Sequence, residues 1–307
     1  MAEALADVTC RADRRPAMGG TAAITLVGGT PELLDECFRV LRDLEQAWSR
    51  FLEGSDVWRL NWSQGAVVRV RPCTARLVTE LMNAWALTDG DFDPTTLPRL
   101  VASGYGNSRI VASRRTTLPD NAVWPGAIAD IHMAGLDVQL PLGTTLDPGG
   151  LGKGLAADMV AEFALDQGAD GVLVEVGGDL VVAGEAPDGS AWTIGIENPF
   201  APGELLTTIR LSSGAVATSS RLIRVWAGAD GPAHHLIDPA TGSSAATTTV
   251  TSTVIAGNGA RAEALAKLAF LRPRDPLLSW LPRISAAALI VCADRQQRRS
   301  ENWREFE

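Results

Sequence analysis

The segment Asp147-Pro148-Gly149-Gly150-Leu151-Gly152-Lys153-Gly154 carries the strongest chemical signal in the chain. Glycines let backbone N–H groups approach an anion, a helix that begins directly afterwards adds positive potential, and Lys153 adds a full charge. That combination suits a phosphate. Its spacing excludes two common phosphate loops. A Walker A loop needs a glycine six residues before its lysine and a Ser or Thr after it, but Asp147 and Gly154 hold those places. The run also lacks the GxGxxG spacing of a dinucleotide fingerprint. Two readings remain: a phosphate cradle, or a plain strand-to-helix turn that uses glycine for its conformational freedom.

Those residues need a scaffold, and the chain is long enough to supply one. It has 307 residues, 46% of them apolar and 21% charged, which is the composition of a folded globular protein. Apolar periodicity predicts strands over 21–27, 67–70, 136–142, 192–196, 206–211, 222–226, 248–256 and 286–292. Helices are predicted after Thr30-Pro31-Glu32, which offers a capping hydroxyl and a proline for the first turn, after Thr74, after Gly154 and over 260–271. Between 172 and 183, two apolar runs are broken by Gly177-Gly178-Asp179, a hairpin or bulge signal. Strands and helices mix without a regular βαβ rhythm, so the fold class is α+β, with mixed or antiparallel sheets and packed helices. The organisation is a loose N-terminal arm over 1–17, a single domain over 18–295 and a charged, frayed tail over 296–307.

Charge and cysteine content narrow the partners. With 27 basic and 36 acidic residues the net charge is −9, which argues against nucleic-acid binding by phosphate attraction. The first residues carry Glu3, Asp7 and Asp13 where an export signal needs a basic start and an apolar run, which points to the cytoplasm. The longest apolar stretch, 284–293, is half a membrane span and fits a core strand, so no membrane insertion is expected. Cys10, Cys37, Cys73 and Cys292 form no CxxC pair and are expected to be reduced, mostly buried thiols.

Seven segments, in order, resemble one family. Met18-Gly19-Gly20-Thr21 is similar to its opening Met-Gly-Thr, and Trp48-Ser49-Arg50-Phe51 with Ser55-Asp56 and Leu60-Asn61 to its Ser-x-Tyr…Ser-Glu/Asp…Leu-Asn stretch. Thr88-Asp89-Gly90-Asp91-Phe92-Asp93-Pro94-Thr95 resembles a Thr-x-Gly-x-Phe-Asp-Pro-Thr signature, and 147–154 with Asp158 an Asp-Leu-Gly-Gly-Ile-Ala-Lys-Gly…Asp element. Val176-Gly177-Gly178-Asp179 with 192–196, Ala217-Thr218-Ser219, and 235–242 (His-Leu-Ile-Asp-Pro-Ala-Thr-Gly) complete the series. Over 18–275 the sequence resembles the ApbE family of FAD:protein FMN transferases.

The resemblance implies an enzyme that cleaves the pyrophosphate of FAD, passes FMN to a Ser or Thr hydroxyl of an acceptor protein, and releases AMP. The acceptor supplies the nucleophile, so the enzyme must supply positioning, charge neutralisation and a proton acceptor. By the match, Lys153 holds the FAD phosphates and Asp147 lines the same site. Asp91, Phe92 and Asp93 contact the flavin or its ribityl chain, with Ile237 nearby. Met18 and Phe51 pack the isoalloxazine, Phe51 standing where the family commonly has Tyr. His235 is the general base, oriented by groups such as Asp238, while His132 and His234 are structural. Two alternatives are a non-catalytic FAD-binding protein and an FAD pyrophosphatase that yields FMN and AMP.

The family's Mg²⁺ ligands map onto the Gly150 carbonyl, Glu263 and Lys267. Glu263 can be a hard oxygen ligand, but the ammonium of Lys267 has no lone pair to give. Spacing i, i+4 puts Glu263 and Lys267 on one helix face. Three readings follow: a surface ion pair, a Glu263-centred Mg²⁺ site, or a lysine whose charge takes the ion's place. A second departure is Glu175, where the family often has Asn.

Overall fold

Eight strands pair in strict chain order, each antiparallel to the next. They are β1 (Cys10–Ala17), β2 (Gly20–Gly28), β3 (Ala169–Val176), β4 (Asp179–Gly184), β5 (Gly214–Ser220), β6 (Thr249–Ala256), β7 (Ala287–Cys292) and β8 (Gln297–Arg299). The computed structural model describes residues 9–108, 111, 113–228 and 231–307, so the expectations for residues 1–8 lie outside the described residues. The fold is α+β, and all strand pairs of the main sheet are antiparallel.

Of four helices, α1 (Leu33–Trp48), α2 (Pro72–Leu87), α3 (Gly152–Asp166) and α4 (Gly259–Leu268), α1, α3 and α4 pack on one sheet face and α2 packs on α1 and α4. Ile24, Leu26, Val174, Val176 and Ala217 from the sheet join Leu41, Leu77, Leu155 and Leu265 from the helices in one core. The opposite face is closed by the hairpin of Trp192–Glu197 and Leu205–Leu211 and by the C-terminal turn Glu301–Phe306, through Trp192, Ile194, Ile209 and Trp303. Alternating side chains along each strand feed the two cores, which is why neither face is free of cover. Among the described residues no helix is long and apolar enough to cross a membrane. The apolar run expected as a core strand is β7, buried along its whole length.

Both expected chain ends are corrected. Cys10–Ala17 is not a loose arm: it pairs with β2 from Cys10↔Val27 to Ala17↔Gly20. As an edge strand it exposes Arg and Asp side chains, so it shows no apolar alternation in sequence. The tail is not frayed either. Gln297–Arg299 joins the sheet edge, and Trp303 is 0% exposed. Three local differences follow from physics. Thr30 does not cap α1 with its hydroxyl; its carbonyl takes the Leu33 N–H at 3.3 Å and the helix starts at Leu33. β5 was not predicted, because Gly-Ala-Val-Ala-Thr-Ser-Ser is small and weakly β-forming. The strand predicted over 222–226 begins only at Val225, and Leu222 and Ile223 stand exposed. Among the cysteines, Cys37 and Cys292 are buried, Cys73 is half-buried and Cys10 is exposed.

Candidate active site

Two tight turns end side by side on the sheet. Met18 and Gly19, between β1 and β2, have φ of 52° and 74°; Gly177 and Gly178, between β3 and β4, have φ of 60° and 91°. Positive φ at both central residues is the type I′ geometry that matches strand twist. The Gly177 N–H donates to the Thr21 carbonyl at 2.9 Å, which ties the turns together. Above them lies a cavity of about 330 Å³, lined by Met18, Phe51, Asp93, Lys153, His235 and Lys267 among others. Its size is that of a small-molecule site.

The glycine turn is built as the spacing suggested. Asp147 accepts the Gly149 N–H at 3.0 Å and so caps the short turn Pro148–Gly150, after which α3 begins at Gly152. The Asp147 N–H donates to the Pro94 carbonyl at 2.8 Å, which joins the turn to the Asp91–Thr95 segment. Gly150 is required by contact: a Cβ there would lie 2.6 Å from Cε2 of Phe92. Phe92 is therefore buried beneath the turn. Asp93 accepts both the N–H and the hydroxyl of Thr95 at 2.7 Å, and burial pushes its carboxyl above the usual range. Asp91 is engaged by the Arg272 guanidinium, which also donates to the Thr88 carbonyl. The structure thus gathers Asp91, Phe92, Asp93, Asp147, Gly150 and Lys153 at one wall.

Lys153 is held by two carboxylates rather than left free. Its ammonium contacts Asp179 and lies 2.7 Å from Glu263 Oε1. Asp179, the first residue of β4, also accepts the Thr218 N–H at 3.1 Å. Glu263, on α4, accepts the Gly154 N–H at 2.9 Å through Oε2. One turn on, Lys267 donates to the Glu263 carbonyl at 3.0 Å and stands 3.6 Å from Glu263 Oε1. Burial opposes every charge in this group. For Lys153 the two carboxylates overcome burial and raise its pKa, while Lys153 and Lys267 together pull Glu263 down to about 2. Lys267 is shifted down by burial and by Lys153, against the pull of Glu263.

The surface ion-pair reading of Glu263 and Lys267 is therefore corrected: Glu263 is 2% exposed, and Lys267 lines the cavity. A divalent ion does not fit this arrangement. Both Glu263 oxygens are already engaged, and the Lys267 side chain runs beside Gly150, its Cε 3.8 Å from a Cβ built there. Among the described residues, no group of three or more His, Cys, Asp and Glu could hold a metal.

His235, Leu236 and Ile237 also line the cavity. Its Nδ1 is buried and has no hydrogen-bond partner among the described residues. Burial, then the charges of Arg224 and Lys267, hold its imidazole well below the ordinary histidine value, so it is neutral. Asp238 does not orient it; that carboxylate accepts the Ala240 N–H at 2.8 Å within its own turn. His234 is structural, with ring contacts to the Ala245 carbonyl and the Leu236 N–H at 3.3 Å. Glu175 faces elsewhere and pairs with Arg14 at 3.3 Å.

Sequence reasoning missed two cavity cations. Arg50, 5% exposed, donates to the Thr116 hydroxyl and the Tyr105 carbonyl, sits 3.5 Å from Asp147, and lies 4.2 Å above the Phe51 ring. It therefore covers one face of that ring. Arg224, at φ 59°, lines the cavity near His235. Its only sequence signal is a charged residue inside the apolar run Leu222-Ile223-Arg224-Val225.

A family model described as the ApbE family matches residues 18–290. A FAD:protein FMN transferase of Haemophilus influenzae is 24% identical over 269 residues, covering 84% of this chain and 77% of that protein. One of Vibrio cholerae is 27% identical, covering 82% and 78%. The crystal structure of the ApbE protein of Thermotoga maritima superposes with a TM-score of 0.82 at 25% identity, covering 97% of this chain and 99% of that one.

Proposed function

The chain belongs to the ApbE family, and on that premise we propose that it transfers the FMN half of FAD to a Ser or Thr hydroxyl of an acceptor protein and releases AMP. The observation that supports this best is His235, whose buried Nδ1 has no hydrogen-bond partner among the described residues, in the same cavity as the glycine–lysine turn. A proton acceptor and an anion cradle facing one space are what phosphoryl transfer to a hydroxyl requires.

The hydroxyl oxygen of the acceptor forms a bond to the FMN phosphorus. The bond from that phosphorus to the bridging oxygen breaks, and AMP departs with that oxygen and the electron pair. The hydroxyl proton goes to His235. The Lys153 and Lys267 side chains line the cavity in which charge builds on the phosphates. Lys153 acts from a position fixed by Asp179 and Glu263, so it needs no reorganisation when the charge develops. The Phe51 ring, covered on one face by Arg50, offers its other face to an aromatic ligand. The magnesium ion that the resemblance implies has no part in this reading, because the residues present do not accommodate it.

The test is to incubate the chain with FAD and a library of Ser- and Thr-containing peptides, and to measure AMP and peptide-bound flavin. Peptide-bound flavin with equimolar AMP supports transfer. Free FMN with AMP would make the chain a pyrophosphatase, and intact FAD a binding protein.

A further inference from the structure

The site holds the Lys267 ammonium beside the Glu263 carboxylate and the glycine turn. Lys267 leaves α4 one turn after Glu263, passes Gly150 and ends beside the Glu263 carboxylate. Three features belong to the structure itself. The Glu263 oxygens are already spent on Lys153 and the Gly154 N–H. The Lys267 side chain is only 15% exposed, and what is exposed lines the cavity. The buried group of Lys153, Lys267, Asp179 and Glu263 balances two positive charges against two negative ones without an ion. A divalent cation placed there would meet an ammonium at contact distance and no unengaged carboxylate.

We propose that Lys267 supplies, at the FAD pyrophosphate, the positive charge that a divalent cation would otherwise supply, so that this chain binds and cleaves FAD without metal. The inference rests on the transferase reading for its cleavage step, but its binding step stands apart from it. An ammonium carries half the charge of Mg²⁺ and three N–H donors. It can donate to the bridging oxygen and a non-bridging oxygen at once, and stabilise the charge that AMP carries away. It also lies beside a phosphate without needing the octahedral shell that Mg²⁺ demands. Burial, which holds the Lys267 pKa down, is offset once a dianionic pyrophosphate arrives, so the ligand itself favours the charged form.

The experiment compares the chain in EDTA with the chain in millimolar MgCl₂. FAD affinity is followed by flavin fluorescence quenching, and Mg²⁺ binding by calorimetry. AMP release is followed with the peptide library. The expected result is the same FAD dissociation constant and the same AMP release in both buffers, and no calorimetric Mg²⁺ signal. Lys267→Met should weaken FAD binding by about one to two decades, the worth of a charge-assisted phosphate contact, and Mg²⁺ should not restore it. FAD binding or cleavage by the unaltered chain that is lost in EDTA and regained with Mg²⁺ would overturn the inference. So would a Lys267→Met variant that binds FAD as tightly as the unaltered chain. If AMP appears in neither buffer while metal-free FAD binding still depends on Lys267, the transferase reading fails and the role of Lys267 stands.

Discussion

Gly154 and Gly259 meet backbone to backbone. A Cβ on Gly154 would lie 2.2 Å from the Gly259 carbonyl oxygen, and a Cβ on Gly259 would lie 2.4 Å from the Gly154 oxygen. The contact brings the first turns of α3 and α4 together, so Glu263 on one helix can accept the Gly154 N–H of the other. Asp158 of α3 seals the junction by accepting the N–H groups of Gly259 and Ala260 at 2.6 and 3.0 Å. The last glycine of the glycine–lysine turn, Gly154, therefore positions a helix, whereas Gly150 makes room for an aromatic ring.

Gly154→Ala should destabilise the chain by at least about 1–3 kcal/mol, because backbone must move on both helices. Gly152→Ala, whose Cβ would meet only Pro148 at 3.4 Å, is an ordinary contact and should cost far less. Urea unfolding of the two variants checks the contrast. Equal losses would mean that the helix junction yields easily.

Lys153→Met should lower stability as well as FAD affinity. It strips Asp179 and Glu263, 3% and 2% exposed, of a shared cation, and breaking a buried ion pair from one side costs about 3–5 kcal/mol. Adding Asp179→Asn should recover part of that loss. If the single variant unfolds at the same urea concentration as the unaltered chain, water or movement of Lys267 compensates the carboxylates.

His235→Asn should slow FMN transfer by about 10²–10⁴ and change FAD binding much less. Because burial holds the imidazole well below its ordinary value, it stays neutral as pH falls through the usual histidine range. The kcat/KM of the unaltered enzyme should then remain flat across about pH 6.5, the unperturbed value, instead of dropping there. A fall with a midpoint at that value would show that the ring is solvated.

Asp158 gives stability a definite pH sign. Burial raises its carboxyl from 3.8 to about 6, so between these values the folded state binds more protons than the unfolded state. Stability should fall as pH rises from about 4 to about 6, with a contribution of up to roughly 3 kcal/mol from this group. In Asp158→Asn the slope over that window should flatten, although the variant is less stable throughout. Urea midpoints at pH 4, 5 and 6 for both proteins measure the difference.

Local chemistry was legible in the sequence wherever neighbours in the chain are also neighbours in space. The start of α3 after the glycines and the Gly177-Gly178 turn both depend on contacts within a few residues, and residue type alone carries them. The seven ordered segments likewise placed the chain in its family, since motifs need only their own residues in order. What became of the charges was decided by the tertiary fold. Lys153 meets Glu263 across 110 positions and Asp179 across 26, and no periodicity encodes such distances. The same holds for the edge strand Cys10–Ala17 and for Trp303, whose burial depends on a sheet face assembled from distant strands. Whether Glu263 is an exposed partner of Lys267 or a buried anchor for two helices rests on which face of α4 the sheet covers. Only the packing of α4 against α3 fixes that, because the helix has small or apolar residues on several sides and its amphipathic pattern is weak.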